Sequence, residues 1–488
     1  MRNLILALLL CLAVIPLSGN PDDLTQILDQ ARALANAGRF REARGLLQDG
    51  LTRHPGTDEL QRAIDRLQRV RLDYRLTREA LTSRLMKALK DLHEEEIALW
   101  ISEGRFDARV IDDTLRFMNS SVRNLYWRYP EIMVRLHRPQ EKSPFWRRAL
   151  ALTDSITATA RREKTPYVLP RRTRGTAKLT VDADAVPPGE TLRTWLPVPR
   201  SYPYQELTGV VASSSPIVAL DSASSPIRSA YMEQKAVAGK PTTFFVEFDY
   251  TRHGVHFDLD TAAVVPVDPA DPVTAPFLRE GPHVVFTPGI RNLSRQIVGS
   301  ETNPLRIARA IYLWVVENLQ YSHAREYSTL ENITEYVLAN RYGDCGQHAL
   351  FFMTLCRLNG IPARWQSGWD TTPDDEIIHD WTEIYLRPYG WIPVDPDLGV
   401  LATRYYVTLS LEERRRLRNF YFGGLDHLRM AANSDHCQAL RPAKRHPRSD
   451  NVDFQRGEVE WRGGNLYFDS FSSEFAVVEI PPAGAPGK

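Results

Sequence analysis

Cysteine is scarce: four in 488 residues, too few for a disulfide-built scaffold of this length. Net charge is almost absent. The 61 Lys and Arg residues against 60 Asp and Glu leave +1, which argues against a dominant nucleic-acid-binding surface. Beyond residue 16 no apolar run approaches the roughly 20 residues a bilayer span requires. Nor is apolar content low: 43% hydrophobic and 25% charged residues is the balance of a soluble globular protein, not of a disordered chain. The length allows about two to four domains.

The first nineteen residues stand apart. Arg2 gives a short positive start, Leu4 to Pro16 is an apolar run, and the small residues Ser18 and Gly19 follow. This reads as a signal peptide over 1–19. Cys11 is preceded by leucines, not by the small residue a lipoprotein signal wants. The expectation is a bacterial protein exported to the periplasm or beyond, with no transmembrane segment after cleavage. Cys345, Cys356 and Cys437 then remain, an odd number that implies at least one free thiol. Cys345 and Cys356 on one helix would lie about 16 Å apart, beyond the roughly 7 Å between Cα atoms that a disulfide tolerates.

The rest reads as α+β and multidomain. Residues 20–165 are rich in Leu, Ala, Arg and Glu and read as helical. At their start Gly38, Phe40, Ala43, Leu47 and Pro55 fit the second half of a tetratricopeptide-like hairpin, in one copy and not an array. Residues 167–275 turn rich in Pro, Thr, Ser and Val. Lys178–Asp182 and Phe244–Tyr250 alternate in polarity, which predicts an antiparallel β-sandwich. A further domain is read over 280–400, within which the pattern returns to helix from about 302. Ile307, Ile311, Trp314 and Val315 trace one helical face, a second helix is expected over Thr329–Leu338, and a third from Cys345 to Leu358, ended by Gly360 and Pro362. Strands follow at Ala363–Gly368, His379–Leu386 and Trp391–Val394. A β-rich C-terminal extension over 401–488 is expected to pack on this core.

Cys345 follows Gly343 and Asp344 and opens the third helix. A helix N-terminus carries partial positive charge and unpaired N–H groups. Both favour a thiolate, the nucleophilic form, and the same N–H groups can hold a developing oxyanion. A thiolate needs a base that later acts as an acid, and His379 is the best placed. Asp395, across a turn, can orient the imidazole and stabilise its charged form. Asp397 competes for that role. His348, three residues after Cys345 on one helical face, is geometrically eligible as base but has no strand-borne carboxylate partner in the sequence. Tyr321 and Gln347 are guesses for a second oxyanion donor. Tryptophans 365, 369, 381 and 391 read mostly as core, with one or two walling the cleft.

These blocks resemble the transglutaminase-like superfamily of papain-fold thiol enzymes. The resemblance rests on Tyr342-Gly343-Asp344-Cys345-Gly346, Gly360-Ile361-Pro362-Ala363-Arg364, His379-Asp380-Trp381-Thr382-Glu383-Ile384-Tyr385 and Tyr389-Gly390-Trp391-Ile392-Pro393-Val394-Asp395-Pro396, and covers about 300–400. Arg193–Arg200 looks like the β-domain that often precedes such cores, and Phe420–Asp469 is similar to tails of exported bacterial relatives. By position the resemblance makes Cys345 the nucleophile, His379 the general base and acid, and Asp395 the orienting carboxylate. Asp380 departs from the family, where a small residue is common. Strand alternation is expected to point it away from the site. No counterpart of the calcium loops of animal transglutaminases is found, so no metal and no cofactor are expected.

The implied chemistry is acyl transfer from a peptide or protein carboxamide through a thioester, resolved by water or by an amine. The outcome is a peptidase, an amidase or deamidase, or a transamidase, with hydrolysis favoured over cross-linking. A cell-wall peptide is one substrate consistent with export, and a glycan-directed amidase is a further reading. The alternative class is an inactive scaffold whose N-terminal helices bind a protein partner. The intact set of Cys345, His379 and Asp395 argues against it.

Overall fold

A computed structural model describes residues 21–137, 145–372 and 375–481. The signal peptide expected over 1–19 lies outside these residues. The N-terminal hairpin forms from helices Pro21–Asn36 and Phe40–Arg53 and packs on a third helix, Asp58–Asp73. Its turn needs Gly38, at φ +82°, where a Cβ would also press 3.0 Å from Val110. Phe40, Ala43 and Leu47 are the buried face of the second helix. The region is not wholly helical: Ala108–Ile111 and Thr114–Phe117 make a small antiparallel hairpin.

The β-sandwich consists of two five-stranded sheets. Phe244, Val246, Phe248 and Tyr250 are all 0% exposed, as the alternation in this strand, Thr242–His256, predicts. Four buried residues of this kind contribute on the order of 1.5–3 kcal/mol each in transfer free energy.

The C-terminal extension packs on the core, with Phe422 and Val452 in its apolar cluster, and reaches beyond it. It is woven into all three large sheets. Phe471–Glu479 pairs with Tyr167–Val181, and Glu458–Trp461 pairs with Thr191–Pro197. Arg429–Asn433 pairs with Ala363–Thr372. The physical reason is the cost of open sheet edges, whose N–H and C=O groups need partners.

The core sheet is antiparallel, in the order Gly390–Val394, Asp375–Leu386, Ala363–Thr372, Arg429–Asn433. Against it lies helix Cys345–Leu358, buried from Gly346 to Arg357. Gly360, at φ +73°, turns the chain after that helix. Helix Pro304–Asn318 carries the predicted apolar face, with Ile307, Ile311 and Val315 buried. The helix expected from Thr329 starts later, at Ile333, because Asn332 caps it by accepting from the Glu335 N–H. The preceding Tyr327–Thr329 is a 3₁₀ turn. Among the described residues no helix is long and apolar enough to cross a membrane.

Candidate active site

Cys345 is the first residue of its helix, with Asp344 as N-cap. The Asp344 carboxylate accepts from the Gln347 N–H at 3.2 Å and from the Tyr327 hydroxyl at 2.6 Å. Gly346 is required by crowding: a Cβ there would meet Asp380 Oδ2 at 2.6 Å and Trp365 at 2.7 Å. Cys345, Cys356 and Cys437 are all free thiols.

The structure corrects the expectation for Asp380. Its carboxylate faces the sulfur, and the Cys345 thiol donates to Oδ2 at 3.4 Å. Asp380 has the parity of Thr382, Ile384 and Leu386, and the last two enter the core beneath the cysteine helix. That parity was the available signal. His379 takes the other orientation, with its ring 6.1 Å from that of Trp381. Its Nε2 bonds Asp395 Oδ2 at 2.7 Å, and Asp395 Oδ1 accepts from the Leu398 N–H at 2.9 Å. The structure thus brings His379 and Asp395 together, while no hydrogen bond joins Cys345 to His379.

The electrostatics follow. Burial, then the carboxylates of Asp380, Asp344 and Asp397, hold the Cys345 thiol well above its ordinary value. This opposes the thiolate that the helix N-terminus alone would favour. Burial, then Asp453 and Asp344, raise Asp380 itself. Burial opposes a charged His379, but Asp395 outweighs it and the imidazole pKa is raised. Arg429, a residue with no local sequence signal, pairs with Asp370 at 3.0 Å and Asp426 at 3.2 Å and lies 3.8 Å from Asp395.

A second imidazole–carboxylate pair lies beside the first. His348 Nδ1 bonds Asp397 Oδ1 at 2.8 Å, so His348 has the carboxylate partner its sequence context did not reveal. Its Nε2 is buried without a partner, as are both amide atoms of Gln347. Tyr321 is a half-buried phenol, held protonated first by desolvation and then by Cys345. Gln455, from the extension, donates to Asp380 Oδ1 at 2.8 Å and to the His379 carbonyl at 2.8 Å.

Cys345 opens on a cavity of about 510 Å³ with three walls. The core supplies Tyr321 and Asp380, the N-terminal region Asp73 and Arg123, and the extension Asp453 and Arg456. None of the tryptophans 365, 369, 381 and 391 lines it; Trp365 and Trp381 are 0% exposed and Trp369 6%. Among the described residues no group of three or more His, Cys, Asp or Glu side chains is arranged to hold a metal ion.

Among known proteins, an uncharacterized protein of Haemophilus influenzae is 27% identical over 176 residues, which is 30% of this chain. The chain spans 46% of that relative's length. A candidate cysteine protease from Cytophaga hutchinsonii is similar in structure at 17% identity, over 66% of this chain and 94% of that one, with a TM-score of 0.43. The periplasmic domain of TgpA from Pseudomonas aeruginosa matches at 15% identity over 56% of this chain and 95% of its own, with a TM-score of 0.26. Residues 291–396, the stretch that holds Cys345, His379 and Asp395, match the transglutaminase-like superfamily, so this multidomain α+β chain carries a transglutaminase-like domain.

Proposed function

We propose that the protein is an exported cysteine-dependent acyl-transfer enzyme acting on peptide or protein amide bonds, with hydrolysis favoured over cross-linking. The observation that carries this reading is the 2.7 Å His379–Asp395 bond on the strand whose next residue, Asp380, touches the thiol of Cys345. Asp395 occupies Nε2, which leaves Nδ1 of His379 as the nitrogen for proton exchange with sulfur. In the reaction Cys345 loses its proton to His379 as its sulfur leaves Asp380 and attacks the carbonyl carbon. The helix N-terminal N–H groups receive the oxyanion. The C–N bond then breaks as His379 protonates the departing amine, and water, deprotonated by His379, resolves the thioester.

The unpartnered Nε2 of His348, with Asp397 bonded to Nδ1, favours a second reading in which His348 is the base. Single variants separate the two. Release of amine from peptide amides is expected to fall to background in Cys345→Ala and by about 10²–10⁴-fold in His379→Gln, with His348→Gln retaining most turnover. Loss in His348→Gln with turnover kept in His379→Gln selects the second reading. Full activity in Cys345→Ala removes both.

A further inference from the structure

A larger cavity shares one wall residue, Arg325, with the cavity at Cys345. This space of about 720 Å³ lies between the N-terminal helices and the core segment 329–340. The larger cavity is apolar on its helical side, where Leu28, Ala31, Leu47 and Val70 line it. Its charges are unevenly matched. Arg32 and Arg66 share Glu331, at 2.9 Å and 3.1 Å, and Arg62 pairs with Glu59 at 3.0 Å. Arg109 and Arg325 form no ion pair among the described residues.

These two arginines are held in place by rings. The Arg109 guanidinium lies 5.2 Å from the Phe40 ring centre, and that of Arg325 lies 5.1 Å from the Tyr336 ring centre. Nε of Arg325 is buried without a hydrogen-bond partner. Burial, then the like charge of Arg325, push the Arg109 pKa below its ordinary value. Arg109 Nη2 donates to the Ala35 carbonyl and to Asn36 Oδ1, both at a long 3.5 Å; the Tyr74 hydroxyl lies against Arg325, and the nearby Asp73 carboxyl is pushed up to about 7, first by burial and then by Glu326. Two guanidinium groups with only neutral hydrogen-bond partners and no ion pair among the described residues, at the edge of an apolar space, gain from an anion that joins them, and paired hydrogen-bond forks suit a carboxylate.

We propose that this cavity is a substrate subsite: it takes an apolar peptide segment bearing a carboxylate, bound by Arg109 and Arg325, while the scissile amide lies at Cys345. The inference rests on the acyl-transfer reading above for the placement of the amide, and not for the binding of the carboxylate. The carboxylate can come from a chain terminus or from an acidic side chain.

The test uses the full chain as its Cys345→Ala variant, which binds without turnover, with calorimetry as readout. The probes are acetyl-Ala-Gln-Ala-Leu-Leu with a free carboxyl, its C-terminal amide, and acetyl-Ala-Gln-Ala-Leu-Glu-amide. At least one carboxylate-bearing peptide is expected to bind about tenfold or more tighter than the amide. The free acid identifies a terminus reader and the Glu peptide a side-chain reader. Adding Arg109→Gln and Arg325→Gln is expected to erase that preference. Equal affinity of all three peptides, or no binding by any, overturns the proposal. Because the peptides are compared on one protein, misfolding of the arginine variants cannot produce a false refusal. A carboxylate preference alongside a wild-type protein that cleaves no amide would leave the subsite standing and remove the acyl-transfer reading. Cleavage without a preference would do the reverse.

Discussion

Burial, then the carboxylate of Asp380 ahead of Asp344 and Asp397, sets the protonation of Cys345. With Asp380 beside the sulfur, ionising the thiol places a second negative charge near the first, so the carboxylate raises the thiol pKa. Asp380→Asn removes that charge and keeps the shape. The pH midpoint for alkylation of Cys345 by iodoacetamide is expected to move down, with faster reaction at neutral pH, as followed by mass spectrometry of the Cys345 peptide. An unchanged midpoint would mean that burial, with Asp344 and Asp397, holds the proton without Asp380. His379 responds in the opposite sense. Its raised native pKa gives stability that is complete below the unfolded value of about 6.5 and is lost as pH rises through the native value. Asp395→Asn takes away the group that does the raising. The stability gap between wild type and this variant in urea unfolding is therefore expected to be widest near about pH 5.5 and to narrow by about pH 9. The place of Cys345 at a helix start was legible in the sequence because Asp344 and the glycines mark that start. The neighbour of the sulfur was not: it depends on which parity of the strand faces the helix. That parity was written in Ile384 and Leu386, both core residues. The partner of His348 was hidden for another reason, since Asp397 reaches it from a different helix, Pro396–Arg404.

Elements with strong local patterns follow the sequence closely. The helix Cys345–Leu358 has the predicted bounds. The strand Phe244–Tyr250 alternates as expected, within a longer element. Elements whose partner is remote do not announce themselves. Arg429–Asn433 finds its place on the core sheet only by pairing with Ala363–Thr372, through a register shift between Ser367 and Gly368. Gly368 shows how close that approach is: a Cβ there would overlap the Met430 carbonyl. Its neighbour is backbone, so a larger residue has no flexible side chain to displace. Gly368→Ala is expected to cost about 1–3 kcal/mol, the usual scale of overpacking in a tight interior, read as a lower urea midpoint. Because Gly368 pairs directly with His379, the same variant is also expected to slow turnover. An alanine accepted with no loss of stability would show that the edge strand separates easily from the core sheet.

At the scale of the molecule, cavity walls and cores are divided differently among the regions. The N-terminal region contributes Asp73, Asn119, Ser120 and Arg123 to the space at Cys345. Yet its two apolar cores are drawn entirely from residues between 27 and 136. Its junction with the core mixes hydrogen bonds, such as the Asn124 donation to the His323 carbonyl at 3.0 Å and that of the Tyr405 hydroxyl to the Trp127 carbonyl at 2.8 Å, with ring packing of Trp127 at 4.7 Å from Tyr321 and 4.9 Å from Tyr405. The extension is the reverse case. It places Val459, Leu466, Phe471 and Phe475 inside the sandwich core, and burying a phenylalanine is worth about 3–5 kcal/mol against alanine. Two truncations therefore diverge. A chain lacking residues 1–137 is expected to keep a cooperative thermal transition and to expose its thiol, so that Cys345 alkylates faster than in the full chain. A chain lacking residues 457–488 loses four core side chains and the strands that close both sandwich sheets, a deficit comparable with the whole stability of a domain. It is expected to be insoluble or to unfold without a cooperative transition. If the first truncation collapsed and the second melted normally, the division of cores described above would not be what holds the molecule together.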